Sequence, residues 1–259
     1  MAFVSRSVPA AVRLPKVPAV TAPLAMTALA VALALPAPST AATGRAPSAV
    51  LPAELARGGE VLPVSRRKSF LIPNRSTDKV LVFAPYSVDD YRTGWTGTRS
   101  RSRRHGANEV NDAESKRSFS FALAGGAASP LVDCDERVSA HVEGERRGDA
   151  APAVPDHDLR CRLHVPAGGA FELTVFNGRG KLVGTSGEVF AVSPLGATSG
   201  WQDAATTGLL LRASSGAPLA AIDFARKGHV VLQRDLEPPQ RELLAAAAAA
   251  LLLADLVGW

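Results

Sequence analysis

Residues 243–254 read LLAAAAAALLLA, twelve side chains without one polar atom. Alanine and leucine are strong helix formers, and Pro238-Pro239 just upstream suit a first helical turn, where a missing N–H is not missed. Gln240, Arg241 and Glu242 mark where the chain enters the apolar run. A helix on a protein surface shows an apolar stripe, whereas a helix apolar all round is buried on every side. Twelve residues make about 18 Å of helix, short of a bilayer core. Asp255 then interrupts the run. The stretch is therefore expected inside the protein and not in a membrane.

The segments upstream indicate what surrounds it. Val61 to Ile72 and Lys79 to Ala84 are short apolar runs closed by Pro73-Asn74 and Pro85. Arg117 to Leu123 alternates, with Phe119, Phe121 and Leu123 on one face. Leu159 to Val165 alternates too, placing Leu159, Cys161, Leu163 and Val165 inward and Arg160, Arg162 and His164 outward. That period of two is the mark of a half-buried strand. Phe171 to Phe176 and Lys181 to Gly184 flank the turn sequence Asn177-Gly178-Arg179-Gly180, a hairpin signal. Glu188 to Val192, Gly208 to Ala213, Pro218 to Ala225 and His229 to Gln233 complete the set. Many short strands with regular turns specify a sandwich or barrel. The expectation is a mainly β fold, a single barrel-like or strongly curved antiparallel sheet with one buried apolar C-terminal helix. A β-sandwich with a packed C-terminal helix is the alternative.

A closed barrel around an apolar C-terminal helix resembles the tubby C-terminal-like group, which includes the phospholipid scramblases and the plant LURP-one-related proteins. The residues carrying the likeness are the glycine-bearing hairpins Asn177 to Val183 and Ser215 to Ile222, and the final run Leu243 to Leu256. The resemblance spans roughly Glu60 to Trp259, is architectural, and transfers no binding residue.

The N-terminus addresses the compartment. Arg6, Arg13 and Lys16 stand with no acidic residue before Glu54. The apolar run Leu24 to Leu35 follows, then Pro36-Ala37-Pro38-Ser39-Thr40-Ala41. A basic segment, a short apolar segment and small residues describe an export signal cleaved after Ala41. Residues 1–41 are thus expected to be a signal peptide, 42–59 a flexible lead-in, and 60–259 the β domain. The location expected is periplasmic or extracellular, in a bacterial chain. The chain carries 29 basic and 24 acidic side chains, and three of the basic ones lie before residue 42, so the mature surplus is +2. A dedicated nucleic-acid binder carries a larger surplus, so no nucleic-acid partner is expected. Two cysteines in an oxidising compartment point to a Cys134–Cys161 disulfide, worth about 3 kcal/mol through loop closure.

The motif fragments fail on context. Ser65-Arg66-Arg67-Lys68 lacks a later K-T-G. Gly184-Thr185-Ser186-Gly187-Glu188 lacks the final glycine of a nucleophile elbow, and Gly178-Arg179-Gly180-Lys181 lacks the earlier glycine of a phosphate loop. Cys134, His141, Cys161 and His164 are two cysteines and two histidines, but strand positions three apart diverge, which favours the disulfide over zinc. Asp133, Asp135, Asp156 and Asp158 are read as solvated charge ahead of a calcium site. No metal and no cofactor is expected.

Residues 86–104 form the best candidate surface: Tyr86, Tyr91, Arg92, Trp95, Arg99, Arg101, Arg103 and Arg104. Aromatics beside arginines suit anionic head groups, sugars or a protein partner. The plainer reading is a hairpin whose aromatics pack inward and whose arginines coat a solvated loop. The function expected is that of an exported, non-enzymatic domain binding a ligand, an envelope component or an anionic surface. Two alternatives stand: a hydrolase assembled in space, for instance from Ser186, Asp223 and His229, and a membrane-surface or structural role through the arginines.

Overall fold

From Asn108 to Gln233 the strands pair in sequence order, each antiparallel with the next, as short turns dictate. The computed structural model describes residues 51–66, 79–94, 97–105, 108–145, 155–166, 168–195, 208–224 and 228–254, without the side chains of 104, 105, 108, 109 and 142–145. All of these lie in the compact unit Thr43–Trp259, and residues 1–41, where a signal peptide is expected, lie outside the described residues. The strands are β1 (Gly59–Pro63), β2 (Ser65–Arg66), β3 (Leu81–Phe83), β4 (Tyr86–Thr93), β5 (Gly97–His105), β6 (Asn108–Ala124) and β7 (Leu131–Glu145). They continue with β8 (Asp156–Val165), β9 (Gly169–Phe176), β10 (Arg179–Gly184), β11 (Val189–Pro194), β12 (Gly208–Ala213), β13 (Pro218–Asp223) and β14 (His229–Gln233). Two helices, α1 (Ala53–Gly58) and α2 (Pro238–Leu253), flank them.

One antiparallel sheet runs β1-β14-β13-β12-β11-β10-β9-β8-β7-β6-β4-β3-β2, with β5 alongside β6 in line with β4. Its two end strands, β1 and β2, are chain neighbours separated by Val64 alone. The sheet therefore curls back on itself into a nearly closed barrel. Val64 N–H donates to the Gly228 carbonyl at 3.1 Å, extending the β1–β14 pairing up to the start of β2.

Inward positions form rows around the wall. One row passes through Phe119, Cys134, Cys161, Leu173, Leu182 and Phe190, all buried. The next passes through Phe121, Val132, Leu163, Phe171 and Gly184. A Cβ at Gly184 would sit 2.7 Å from the Phe171 ring, so glycine lets that ring cross the neighbouring strand. The β9–β10 turn is Asn177-Gly178 with φ of 50° and 73°, the left-handed pair that a two-residue hairpin turn requires.

Helix α2 fills the space that these rows enclose. Leu243 to Leu252 are each 2% exposed or less, on every face of the helix. Six consecutive alanines end at Cβ and leave room for the phenylalanines and leucines of the wall. Leu253, expected to be enclosed with the rest, is only half-buried, because it lies at the mouth. No helix among the described residues is long and apolar enough to cross a membrane.

Each end of this helix is fixed by polar groups. At its start, Ala127 and Ala128 in the β6–β7 turn donate their N–H groups to the buried Glu242 carboxylate. A Cβ at Gly126 would lie 2.6 Å from Glu242 Oε1, so a larger residue there would push the carboxylate aside. Arg241 pairs with Glu60 of β1. At its finish, Arg117 donates to the Leu253 carbonyl at 2.8 Å and to Glu136 Oε2 at 2.7 Å. Glu136 in turn meets His157 Nε2 at 2.8 Å.

Helix α1 corrects one boundary. The lead-in expected through residue 59 is ordered from Ala53, and Leu55 is buried against Leu195, Leu210, Ala221 and Val231. Those last three side chains point outward from β12, β13 and β14. Covering both faces of these strands explains why they read as unbroken apolar runs and not as alternations.

Candidate functional site

The candidate surface 86–104 divides into two parts. Tyr86 and Tyr91 are 3% exposed and belong to the core, which corrects their expected place on a binding surface. A register shift between Asp89 and Arg92, with Asp90 at φ 50°, changes the parity of β4 and turns both rings inward. Tyr86 lies 5.6 Å from the Phe83 ring and Tyr91 6.2 Å from the Phe119 ring. Burial holds both phenols above their ordinary pKa, against the opposing pull of Arg241 on Tyr86 and Arg117 on Tyr91. Arg92 is exposed and pairs with Asp90 at 2.9 Å. Trp95 lies outside the described residues.

The arginines stand elsewhere. Strands β6 and β7 run past the end of the barrel that holds Arg117, and β5 pairs with the outer length of β6. The pairing is unbroken from Gly97 opposite Lys116 to His105 opposite Asn108. Together β5, β6 and β7 form a three-stranded ribbon. Strand alternation puts Arg99, Arg101 and Arg103 on one face, and all three are exposed. Arg104 is opposite Glu109 in register, and its side chain lies outside the described residues.

On the same face, Arg99 is opposite Glu114 and Arg101 is opposite Asp112, which is itself opposite His141 of β7. Glu114 sits 3.2 Å from Lys116 Nζ and 2.6 Å from Arg137 Nε. The Lys116 hydrogen bond first, then the charges of Arg137 and Arg99, hold the Glu114 carboxyl below its ordinary pKa. Asp112 Oδ1 is 2.6 Å from His141 Nδ1. Arg101 and Arg103 make no ion pair among the described residues. A shallow groove of about 360 Å³ runs along Arg99, Arg101, Arg103, Asp112, His141 and Asp156. This face offers three guanidinium groups in a line, with carboxylates set one strand behind them.

The remaining candidates resolve differently. Cys134 and Cys161 face each other directly across β7 and β8, and their sulfurs are bonded with the Cα atoms 4.1 Å apart. Directly opposite, non-hydrogen-bonded strand positions approach to about 4.5 Å, so the ladder itself brings the thiols together. His141 stands on the ribbon and His164 points outward, away from the bonded cysteines. No group of metal-ligating side chains is found among the described residues. Asp133 and Asp135 are opposite Arg162 and Arg160, and Asp158 is opposite Arg137, so the acids belong to a lattice of cross-strand charge.

Asp223 and His229 do meet, at 3.9 Å across the β13–β14 turn. Ser186 sits in the β10–β11 turn. Successive hairpin turns alternate between the two ends of a sheet, so Ser186 and the Asp223–His229 pair are at opposite ends of the barrel.

The sequence reading missed the buried cluster of Arg117, Glu136 and His157. Its signal was present in the alternation. Arg117 shares the inward parity of Phe119 and Phe121, Glu136 that of Val132 and Cys134, and His157 that of Leu159 and Cys161. An ionisable group at an inward position on three adjacent strands is a buried polar cluster. No family model, curated protein or solved structure matches the chain.

Proposed function

We propose that this chain is an exported, non-enzymatic β domain that binds an anionic ligand or envelope component through the outer face of the β5–β6–β7 ribbon. One observation carries the reading: Arg99, Arg101 and Arg103 are exposed in a line on a ribbon beyond the barrel, while the barrel interior is occupied by the chain's own helix. Helix α2 takes the place that a ligand has in other eight-or-more-stranded barrels, which leaves the outside for recognition. The non-enzymatic part rests on the separation of Ser186 from Asp223 and His229. Export rests on the composition of residues 1–41 and agrees with the disulfide. Kinship with the tubby-like barrels is kept as a proposal about ancestry and rests on the barrel-and-helix plan alone.

The test is retention of the purified domain on isolated envelope material and on a sulfated polymer. The variant Arg99→Ser/Arg101→Ser/Arg103→Ser is expected to bind about tenfold more weakly and with a shallower salt dependence, since three screened charge contacts are removed. Unchanged retention by this variant, melting as the parent does, would remove the arginine face from the function.

A further inference from the structure

We infer that the outer barrel wall carries a second subsite, centred on Phe176 and joined to the arginine face by one shallow track, and that the ligand is a linear anionic glycan lying along both. This rests on the anion-binding reading of the ribbon and names the class of ligand.

The first observation is an aromatic ring that faces outward. Phe171, Leu173 and Val175 of β9 point into the core, and Glu172, Thr174 and Phe176 point away from it. Phe176 is 54% exposed, while every other aromatic ring among the described residues is buried. Such a ring presents a flat apolar surface to whatever lies on the wall.

The second observation is what surrounds the ring. Phe176 is opposite Asp158 of β8 and Arg179 of β10, and the next outward row sets Arg160, Thr174 and Lys181 side by side. Arg179 and Lys181 are exposed and make no ion pair among the described residues. These six side chains line a depression of about 540 Å³, with the short Thr174 between two long cations.

The third observation is continuity. Another depression of about 540 Å³ shares Asp158 and Arg160 with the first, and shares Arg137 with the groove along Arg99, Arg101 and Arg103. The three make one track from β5 to β10, five strand spacings or about 24 Å along the sheet. A ligand that fills it is a chain polymer.

The chemistry of the track selects among polymers. Arginine and lysine only donate hydrogen bonds, and ionised carboxylates only accept them. Lys116, Arg137, Asp158, Phe176 and Arg179 follow one another on adjacent strands, so donors, an acceptor and a ring lie in one row. A sugar offers an apolar ring face and hydroxyls that both donate and accept. A glycan whose charged and neutral rings alternate meets the cations and the carboxylates in turn. A single nucleic-acid strand also combines stacking with a basic groove. It carries a phosphate at every residue, however, and Asp135, Asp156 and Asp158 on the track would repel it.

The experiment titrates the full mature chain against fluorescent decasaccharides, one carboxylated (hyaluronan) and one sulfated (heparin), and against the disaccharide of each, followed by anisotropy. At least one decasaccharide is expected to bind about tenfold or more tightly than its disaccharide, because it engages both subsites at once. Phe176→Ala and Lys181→Ser, melting as the parent does, should each weaken the decasaccharide by about fivefold or more, and Phe176→Trp should restore it. Weakening by the triple serine variant, with Phe176→Ala and Lys181→Ser without effect, would overturn the second subsite and leave the anion-binding reading of the ribbon standing. Failure of both decasaccharides to bind, with the sulfated polymer still retained, would overturn the glycan track alone; loss of the polymer as well would overturn both readings. A thymidine oligonucleotide of matched length that binds more tightly than either glycan, with the same dependence on Phe176, would overturn the glycan and give the track to single-stranded nucleic acid.

Discussion

Strands β6 and β7 each serve two regions, and the two halves obey different rules. In the barrel half, Phe119, Phe121 and Leu123 of β6 and Val132 and Cys134 of β7 face α2 and are buried. In the ribbon half, the same strands carry Asp112, Ala113, Glu114, Ser139 and His141, none of which belongs to the apolar core of the described residues. The barrel half is held by burial, which is worth roughly 2 kcal/mol for each large apolar side chain. The ribbon half is held by its ladder and by cross-strand charge pairs, worth a few tenths of a kcal/mol to about 1 kcal/mol each. A strand can therefore be specified without an apolar face, provided that neighbouring strands are already fixed by a core further along. Freed from packing, its side chains are open to recognition.

The widest gap between the halves should appear on making the same substitution in each. Ala247→Asp places a carboxylate at mid-helix in a wholly apolar interior, where it has no partner. It should cost several kcal/mol and leave no cooperative melt. Ala113→Asp on the exposed ribbon should cost under about 1 kcal/mol. Thermal melts of both variants measure the contrast; similar destabilisation would erase the distinction between the regions.

Next in size is the disulfide. It bonds buried, inward-facing cysteines of the barrel half, so Cys134→Ala/Cys161→Ala should lower stability by about 3 kcal/mol in a denaturant titration. Retention on the sulfated polymer should be unchanged once the variant is folded. Loss of that retention in a folded variant would show that the ribbon depends on the barrel wall at this depth.

A smaller effect is expected from pH. Tyr86 and Tyr91 are the only tyrosines of the chain, and burial raises both phenols. A raised phenol holds its proton in the fold after the unfolded chain, with its phenols near pKa 10, has released it. The contribution to stability is complete below about pH 10 and is lost as pH rises through the folded values. Denaturant midpoints should fall over that alkaline range, and phenolate absorbance should rise only with unfolding. A phenolate signal that appears at the ordinary tyrosine pKa in folded protein would return the rings to the surface.

The smallest effect on stability should come from the arginines. Arg99→Ser/Arg101→Ser/Arg103→Ser removes exposed charges and should shift stability by less than about 1 kcal/mol, while weakening anion binding as described.

Legibility in the sequence follows the same division. The inward sets of β8 and the bounds of β12 and β14 were readable because apolar side chains recur at period two or fill the segment. The enclosure of α2 was readable because no face of Leu243 to Leu252 is polar. The outer length of β6 was not, because Asn108 to Lys116 has no apolar period to detect; that of β7 carried a weak alternation, Val138, Ala140 and Val142, which the reading passed over. The tyrosines were misplaced for a geometric reason: Tyr86 and Tyr91 have opposite parity, and only the shift at Asp90 puts both rings inside. Helix α1 was hidden by its composition, since a single buried leucine, Leu55, anchors a turn and a half of alanine, arginine and glycine. Of the candidate site, the arginine line was visible as a cluster, whereas its regular alignment on a strand edge depends on pairing with a partner strand that gives no signal.

Native-state hydrogen exchange on the central helix tests most directly the claim that α2 is the barrel's core and the ribbon stands apart. Amides of Leu244 to Leu252 and of Leu159 to Val165 should exchange only through global unfolding, with one shared free energy, while those of Arg99 to Arg103 open locally at far lower cost. Exchange of the helix amides by local opening, with Leu159 to Val165 still protected, would contradict the account by showing a helix that leaves an intact sheet.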